Sequence, residues 1–185
     1  MSFDTYFNEI RKAMQMLVDI PNTVYVGQSV RHDGHALFRT MQTDRGSLIV
    51  PMDRRIELPV IEDFQMGYCT GLSLCGYLPI SIFPRWDFLL IAANQLVNHL
   101  DKVPILSTYR PKVILRTAVG SASPLQPGPQ HTQDHTEAFR KMFKTIHIIT
   151  LDEPRTVYAK YCYALALPQT VLVVEYMEKY NQCVS

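Results

Sequence analysis

The sequence predicts an α/β fold with a doubly wound, mainly parallel β-sheet and helices on both faces. Two observations support this prediction. Short apolar segments rich in β-branched residues alternate along the chain with longer segments whose apolar residues have helical spacing. Several of the short segments are continuous apolar runs, which is typical of strands covered on both faces.

We expect the elements to follow one another across residues 1–185 as a single domain. Strands are predicted over 23–26, 78–83, 113–116, 146–149 and 171–174, and helices over 3–18, 62–76, 87–101, 134–143 and 153–166. Residues 40–53 indicate no clear element, because Gly46 and Pro51 interrupt any helix there.

The composition limits the classes of function. Lys and Arg number 18 and Asp and Glu 17, and a net charge of +1 argues against binding nucleic acid by bulk charge. No apolar run reaches the roughly 18 residues of a membrane span, and the N-terminus lacks a signal pattern. The four cysteines form no Cys-x-x-Cys pair. These features predict a cytoplasmic protein with reduced thiols and no membrane or nucleic-acid partner.

A polar loop over 120–133 directly follows the predicted strand at 112–119. In a parallel α/β sheet, ligands bind beyond the carboxyl ends of the strands, and a loop this long is more often functional than idle.

The sequence contains no glycine-rich phosphate-binding motif. His32 with His35 and His131 with His135 have spacings that could share a metal, but no third ligand is evident, so no metal site is predicted.

Glu62 opens a predicted helix that contains Gly67 and Gly71. One interpretation is structural: a carboxylate is favourable at a helix N-terminus, and the glycine spacing lets the helix pack closely on a neighbour. Trp86 and Phe88 follow the predicted strand at 78–83 and could stack on a planar ligand, although core packing is the commoner reason for aromatic residues.

Further segments stand in a fixed order along the chain. They are 61–67 (Ile-Glu-Asp-Phe-Gln-Met-Gly), Gly71, 76–79 (Gly-Tyr-Leu-Pro), 84–88 (Pro-Arg-Trp-Asp-Phe), 94–99 (Asn-Gln-Leu-Val-Asn-His) and 128–133 (Gly-Pro-Gln-His-Thr-Gln). This ordered set resembles the pyrimidine-binding domain of thiamine-diphosphate enzymes, as found in transketolase and in the beta subunits of 2-oxoacid dehydrogenases. Residues 26–40, 144–154 and 171–175 extend the resemblance over nearly the whole chain.

The resemblance implies thiamine diphosphate as the cofactor and gives three residues a role. Glu62 would hydrogen-bond N1′ of the pyrimidine and activate C2 of the cofactor, Phe88 would stack on the pyrimidine, and His131 would act on the substrate. The family's Gly-Asp-Gly motif for diphosphate and magnesium is absent. A partner subunit is therefore expected to bind the diphosphate and Mg²⁺, with this chain forming a homodimer alone and an α2β2-like assembly with that partner.

The sequence also departs from the family. Residues 41–53 do not match the usual helix, Ser29 and Asn94 stand where acidic residues are common, and Ile91 replaces a polar residue. The chain is expected to lack the further C-terminal domain of the dehydrogenase beta subunits. The resemblance thus implies the pyrimidine-domain subunit of a split transketolase-like enzyme, for ketol transfer or 2-oxoacid decarboxylation. The alternatives are a dehydrogenase beta-type subunit without its C-terminal domain, a non-catalytic assembly or regulatory subunit, and a flavodoxin-like binding module.

Overall fold

The computed structural model describes residues 5–43, 45–121 and 126–183. Its helices are α1 (Tyr6–Val18), α2 (Ala36–Arg39), α3 (Glu62–Leu74), α4 (Trp86–Leu89), α5 (Val103–Leu106), α6 (Thr136–Met142) and α7 (Val157–Ala166). Its strands are β1 (Thr23–Gly27), β2 (Arg55–Glu57), β3 (Leu78–Ile82), β4 (Ile114–Val119), β5 (His147–Thr150) and β6 (Val171–Tyr176). No helix of this described part is long and apolar enough to cross a lipid bilayer.

The six strands form one sheet in the order β2-β1-β3-β4-β6-β5, and every neighbouring pair is parallel. Side chains alternate between the two faces of the sheet, as the strand geometry requires. Val171 and Val173 belong to the core beneath α1 and α7, whereas Leu172 and Val174 belong to the core beneath α3, α4 and α6. The predicted doubly wound sheet with two covered faces is confirmed.

Helix α1 shows why its residues form a helix. The side chain of Thr5 caps the N-terminus by accepting a hydrogen bond from the amide of Asn8, at 3.2 Å. The apolar stripe of the helix, which includes Ile10, Met14 and Leu17, is fully buried against the sheet. The N-terminus of α1 therefore lies at the carboxyl edge of the sheet, since the helix runs antiparallel to the strand that follows it.

Strand β2 was not predicted, because its three residues carry little apolar pattern. Arg55 is 2 % exposed, and its guanidinium donates hydrogen bonds to the carbonyl oxygens of Val30, Met41 and Val50 at 2.7–3.1 Å. These bonds tie the irregular segment before β2 to the edge of the sheet. Burial lowers the pKa of Arg55 from its ordinary value, but a guanidinium stays charged at any physiological pH.

The segment predicted as a helix over 87–101 is helical, but it is not one regular α-helix. After α4, the chain continues as a 3₁₀ turn (Leu90–Ala92) and then as a π-helical segment (Gln95–Leu100). The spacing of the backbone hydrogen bonds therefore changes along this segment. Periodicity alone could not show this, because Leu89, Ala92, Leu96 and Leu100 are all buried, as in a regular helix.

Candidate active site

A cavity of about 1210 Å³ lies at the carboxyl edge of the sheet. Gln28 and Ser29, which follow β1, line one side, and Pro84, Arg85 and Phe88, which follow β3, line another. Strand β1 lies between β2 and β3, so the chain winds in opposite directions from this point. In open α/β sheets the crevice at such a reversal is the usual place for a ligand.

The turn that leaves β1 is held in an unusual conformation. Ser29 has φ +53°, in the left-handed region that a residue with a side chain adopts at some cost. The carboxylate of Glu57, at the end of β2, accepts hydrogen bonds from the amides of Ser29 (2.5 Å) and Arg31 (2.9 Å). The unpredicted strand β2 therefore fixes one wall of the cavity.

The wall of the cavity is mainly cationic. Arg11, Arg39 and Arg85 line it, whereas Asp33 is its one acidic residue among those described. Thr5, the N-cap of α1, also lines the cavity, and the positive end of a helix macrodipole favours negative charge. The electrostatics of the cavity therefore favour an anionic ligand.

Glu62 is the first residue of α3 and is only 4 % exposed. Its carboxylate makes no hydrogen bond or ion pair with any residue that the structure describes. Its oxygens are not among the fully buried, unpartnered atoms of the described structure, so the carboxylate is open to an external partner at the edge of a largely buried side chain. Neighbouring Val60 lines the cavity, whereas Glu62 itself does not.

Phe88 and His131 lie together although they are far apart in sequence. Their rings meet edge to face, with centroids 5.6 Å apart and planes at 65°. Phe88 is half-buried and lines the cavity. His131 does not line it, and its Nδ1 atom is buried without a hydrogen-bond partner in the described structure. Two of the three predicted site residues are thus in direct contact, at the predicted edge of the sheet.

Arg85 fixes the backbone of His131 by donating a hydrogen bond from Nη1 to the His131 carbonyl oxygen, at 2.8 Å. Gly120, directly after β4, leaves the space that this contact needs. A Cβ at residue 120 would lie 2.0 Å from the His131 carbonyl oxygen and 2.2 Å from Arg85 Nη1. A side chain at that position would push the two groups away.

Trp86 and Asp87, which follow Arg85 directly, contact the segment after His131. Trp86 Nε1 donates a hydrogen bond to Thr136 Oγ1 at 3.1 Å, and Asp87 Oδ1 accepts one from Gln133 Nε2 at 2.8 Å. All four residues from Arg85 to Phe88 therefore contact the segment 131–136. We call residues 85–88 the clamp. Trp86 is fully buried and packs on Phe139, so it belongs to the core and does not offer a surface for stacking.

Helix α3, which begins at Glu62, packs beside the clamp. Helix α3 contacts the 3₁₀ turn Leu90–Ala92, which comes directly after the clamp. Residues 122–125 of the predicted functional loop lie outside the described residues. His131 and Gln133 in the remainder of the loop contact residues 85–88, which follow β3.

No group of three or more histidine, cysteine or acidic side chains that could hold a metal ion occurs within the described ranges. Both ring nitrogens of His35 are engaged: Nδ1 accepts from the amide of Phe38 and Nε2 lies 3.1 Å from the carbonyl oxygen of Gln28. Burial lowers the pKa of His35, which keeps the ring neutral, as this pair of contacts requires.

Sequence reasoning missed Arg85, Asp87 and Gln65 as residues of the site region. The signal for the first two was available, since a charged residue on each side of Trp86 directly after a buried strand must lie at the ligand edge. Nothing in the sequence indicated that Gln65 would be fully buried beside the strand ends.

The fold is transketolase-like. The solved structure of a split gene transketolase, described as an inactive beta4 tetramer, superimposes with a TM-score of 0.66 over 97 % of this chain and 53 % of that chain, at 13 % sequence identity. This comparison confirms the predicted fold class.

The sequence is similar to the beta subunits of 2-oxoacid dehydrogenases. The pyruvate dehydrogenase E1 component subunit beta of Gracilaria tenuistipitata var. liui is 23 % identical over 180 residues, which cover 95 % of this chain and 53 % of that protein. The 3-methyl-2-oxobutanoate dehydrogenase subunit beta of Mycobacterium tuberculosis (strain CDC 1551 / Oshkosh) is 23 % identical over 129 residues, which cover 70 % of this chain and 37 % of that protein. No protein-family model matches the chain. The predicted resemblance is confirmed, and the chain spans about half the length, or less, of these relatives.

Proposed function

We propose that this chain is the pyrimidine-domain subunit of a split, thiamine-diphosphate-dependent, transketolase-like enzyme. The observation that carries the proposal is Glu62, a largely buried residue whose carboxylate has no partner among the described residues, at the start of α3 in a transketolase-like fold. A hydrogen-bonding ring nitrogen brought by a ligand would satisfy it.

The residues present fit the pyrimidine half of thiamine diphosphate. This cofactor, when bound, supplies a carbon nucleophile that breaks or forms a bond beside a carbonyl group. Glu62 would exchange a proton with N1′ of the pyrimidine ring, and the half-buried ring of Phe88 would pack on the pyrimidine face. His131, held beside Phe88 by the clamp, would hydrogen-bond the substrate or move a proton at it.

The positive charge of the cavity wall favours an anionic substrate. Arg11, Arg39 and Arg85 can attract a carboxylate or a phosphate into the cavity. A 2-oxo acid and a ketose phosphate both satisfy this electrostatic condition. Ketol transfer is the first candidate reaction, as the likeness to a split transketolase favours it.

A second candidate is the 2-oxoacid decarboxylation of a dehydrogenase beta-type subunit. The observation that favours it is the similarity to two curated dehydrogenase beta subunits. The two candidates differ in the assay: ketol transfer needs an aldehyde acceptor, whereas decarboxylation releases carbon dioxide from a 2-oxo acid.

A partner chain is part of the proposal. Helix α3 leaves one face uncovered, with Phe64 stacked on Tyr68 and with open space within 4 Å of Gly71. The glycine spacing suggested that a neighbouring backbone packs closely on this helix. Within the described residues this does not occur, because the nearest atoms to a Cβ at Gly67 belong to the Gln95 side chain, at an ordinary contact distance of 3.8 Å. Ile91, in the 3₁₀ turn that packs against α3, is 60 % exposed. We propose that this apolar face is buried in a homodimer and in an α2β2-like complex whose partner binds the diphosphate and Mg²⁺.

The test is turnover of the complex reconstituted with a chain that carries the Gly-Asp-Gly motif. Glu62→Gln and Glu62→Ala should each lower kcat by about 100-fold or more, as expected for loss of a proton-transfer group, with an unchanged unfolding midpoint. Asp63→Asn, which removes the adjacent carboxylate of the same helical turn, is the matched control and should keep near-normal turnover.

Near-normal turnover of both Glu62 variants would remove this residue from the mechanism. In that case the non-catalytic role, in which the chain assembles or regulates a partner, becomes the better explanation of the fold. Turnover by the isolated chain with thiamine diphosphate and Mg²⁺ would contradict the split site.

A further inference from the structure

Gln65 lies one helical turn after Glu62 and is fully buried. Its side-chain nitrogen donates hydrogen bonds to the carbonyl oxygen of Ile82 (3.0 Å) and to Ser81 Oγ (3.1 Å), and lies 3.4 Å from the carbonyl oxygen of Val26. Val26 belongs to β1, and Ser81 and Ile82 belong to β3. One amide group therefore joins the first turn of α3 to the carboxyl ends of both strands that border the cavity.

Little else orients this turn by polar contacts. Ile61 occupies the N-cap position and provides no side-chain hydrogen bond, and the Glu62 carboxylate has none within the described structure. The backbone amide of Gln65 donates to the carbonyl oxygen of Ile61 at 3.0 Å. A continuous path of hydrogen bonds thus runs from the strand ends through Gln65 to the residue directly before Glu62.

Gly27 stands where Gln65 binds the strand ends and leaves no room for a side chain. A Cβ at Gly27 would lie 2.6 Å from the carbonyl oxygen of Ile82, so only glycine fits there. Residue 27 is paired with Ile82 in the parallel register. The close approach brings the acceptors of β1 and β3 within reach of a single amide nitrogen.

Glutamine is a costly residue for this position if packing is its only role. Its Oε1 atom is buried and has no hydrogen-bond partner in the described residues. A methionine of similar volume would fill the space without burying an unpaired oxygen, at a small cost in packing. The amide is therefore better explained by what it holds in place.

We infer that Gln65 is a positioning residue that sets the orientation of the Glu62 carboxyl group toward the cofactor. This inference rests on the proposed function, because it needs Glu62 to act on a bound pyrimidine. A catalytic group must be held within about 0.5 Å of its productive position, and small displacements caused by a neighbouring residue lower rates strongly.

The test is a double-mutant cycle with Gln65→Met and Glu62→Gln in the complex with the partner subunit. Two quantities are measured for each protein: kcat, and the dissociation constant of thiamine diphosphate with Mg²⁺ by calorimetry. Gln65→Met should lower kcat about 10- to 100-fold and weaken cofactor binding, with an unfolding midpoint close to that of the parent protein. In the Glu62→Gln background the same substitution should change neither quantity further, because the group it positions is already lost.

Thr23→Val is the matched control. Thr23 is also buried with an unpaired oxygen, but it lies at the opposite edge of the sheet. Its substitution should leave kcat and the cofactor dissociation constant unchanged in both backgrounds.

Unchanged kcat and cofactor affinity in Gln65→Met, or equal losses in both backgrounds, would overturn the inference while leaving the role of Glu62 intact. Near-normal turnover of Glu62→Gln instead refutes the proposed function itself, so the two failures are distinguishable. If Gln65→Met does not fold, Ser81→Ala replaces it in the same cycle. That variant removes one of the acceptors of Gln65 and should give a smaller loss in the same direction, and additive losses would again overturn the inference.

Discussion

The aromatic ring of Phe88 meets the imidazole of His131 edge to face, with 5.6 Å between the ring centroids. The two residues come from different elements, one from α4 at the end of β3 and the other from the loop after β4. Neighbouring parallel strands carry them to the same edge of the sheet. In the proposed site this contact would place an aromatic face for the pyrimidine beside an imidazole that could exchange a proton.

This contact predicts different effects for its two members. Phe88→Ala should weaken binding of thiamine diphosphate by the complex about 3- to 10-fold, because an aromatic contact contributes roughly 0.5–1.5 kcal/mol. His131→Ala should slow turnover more than it weakens cofactor binding. Calorimetry with the cofactor and steady-state kinetics measure the two effects, and Phe88→Leu is the size-matched control. Unchanged cofactor affinity in Phe88→Ala would reduce Phe88 to a packing role, and undiminished turnover in His131→Ala would leave that histidine as a loop residue.

The clamp makes the position of His131 depend on Gly120. Gly120→Ala should lower turnover about as much as His131→Ala, since the new Cβ would displace the His131 carbonyl oxygen and Arg85. The chain has one tryptophan, Trp86, which donates a hydrogen bond to Thr136 in this loop. A shift of its fluorescence emission maximum in the isolated Gly120→Ala chain would report the displaced loop. An unaltered emission maximum together with parental turnover would show that the loop is not held at this point.

Removing one partner of the buried ion pair between Arg116 and Glu175 should strongly destabilise the fold, because a buried charge would be left without its counter-charge. Both side chains are fully buried, 2.7 Å separates Arg116 Nη2 from Glu175 Oε1, and Tyr161 and Tyr180 donate hydrogen bonds to the same carboxylate at 2.8 Å. Glu175→Gln leaves the buried guanidinium without its counter-charge and should lower the free energy of unfolding by about 3–5 kcal/mol.

Urea denaturation followed by circular dichroism measures this loss. Glu137→Gln is the control for removing a carboxylate from an ion pair, because Glu137 pairs with Arg140 on the surface and such pairs contribute little. Similar unfolding midpoints for the two variants would contradict the large loss of unfolding free energy expected for Glu175→Gln.

Asp101 should make the free energy of unfolding fall as the pH is lowered into the acid range. Burial alone would raise the pKa of this carboxyl group, but hydrogen bonds from Lys102 Nζ and from the amides of Thr145, Ile146 and Lys144 outweigh burial and hold the pKa below its ordinary value of 3.8. The folded state therefore binds fewer protons than the unfolded state in acid. The stabilisation is complete above the ordinary pKa and is lost as the pH falls through the lower folded-state pKa.

Asp101→Asn removes this dependence. The variant should be less stable than the parent at pH 7, and the difference should shrink as the pH falls below about 4. Urea midpoints measured from pH 3 to pH 7 test this, with Asp63→Asn as a control on an adjacent helix. A stability difference that is constant over this range would show that the Asp101 carboxyl is not stabilised in its charged form.

The sequence by itself determined the alternation of strands and helices, because burial on both faces of a parallel sheet needs continuous apolar runs and helices need a 3.6-residue pattern. It also predicted a candidate site at the carboxyl edge, which follows from chain direction, and a helix that begins at Glu62, which follows from the residue pattern. These local and topological rules act over a few residues at a time.

The tertiary structure alone decided the rest. Hydrogen bonds from Arg55 join strand β2 to the segment that precedes it, and the helical segment expected over 87–101 changes to 3₁₀ and π geometry where it packs against α3. The clamp on His131 and the hydrogen bonds of Gln65 to β1 and β3 join residues that are distant in sequence. Such contacts depend on three-dimensional distance and side-chain direction, which no periodicity encodes.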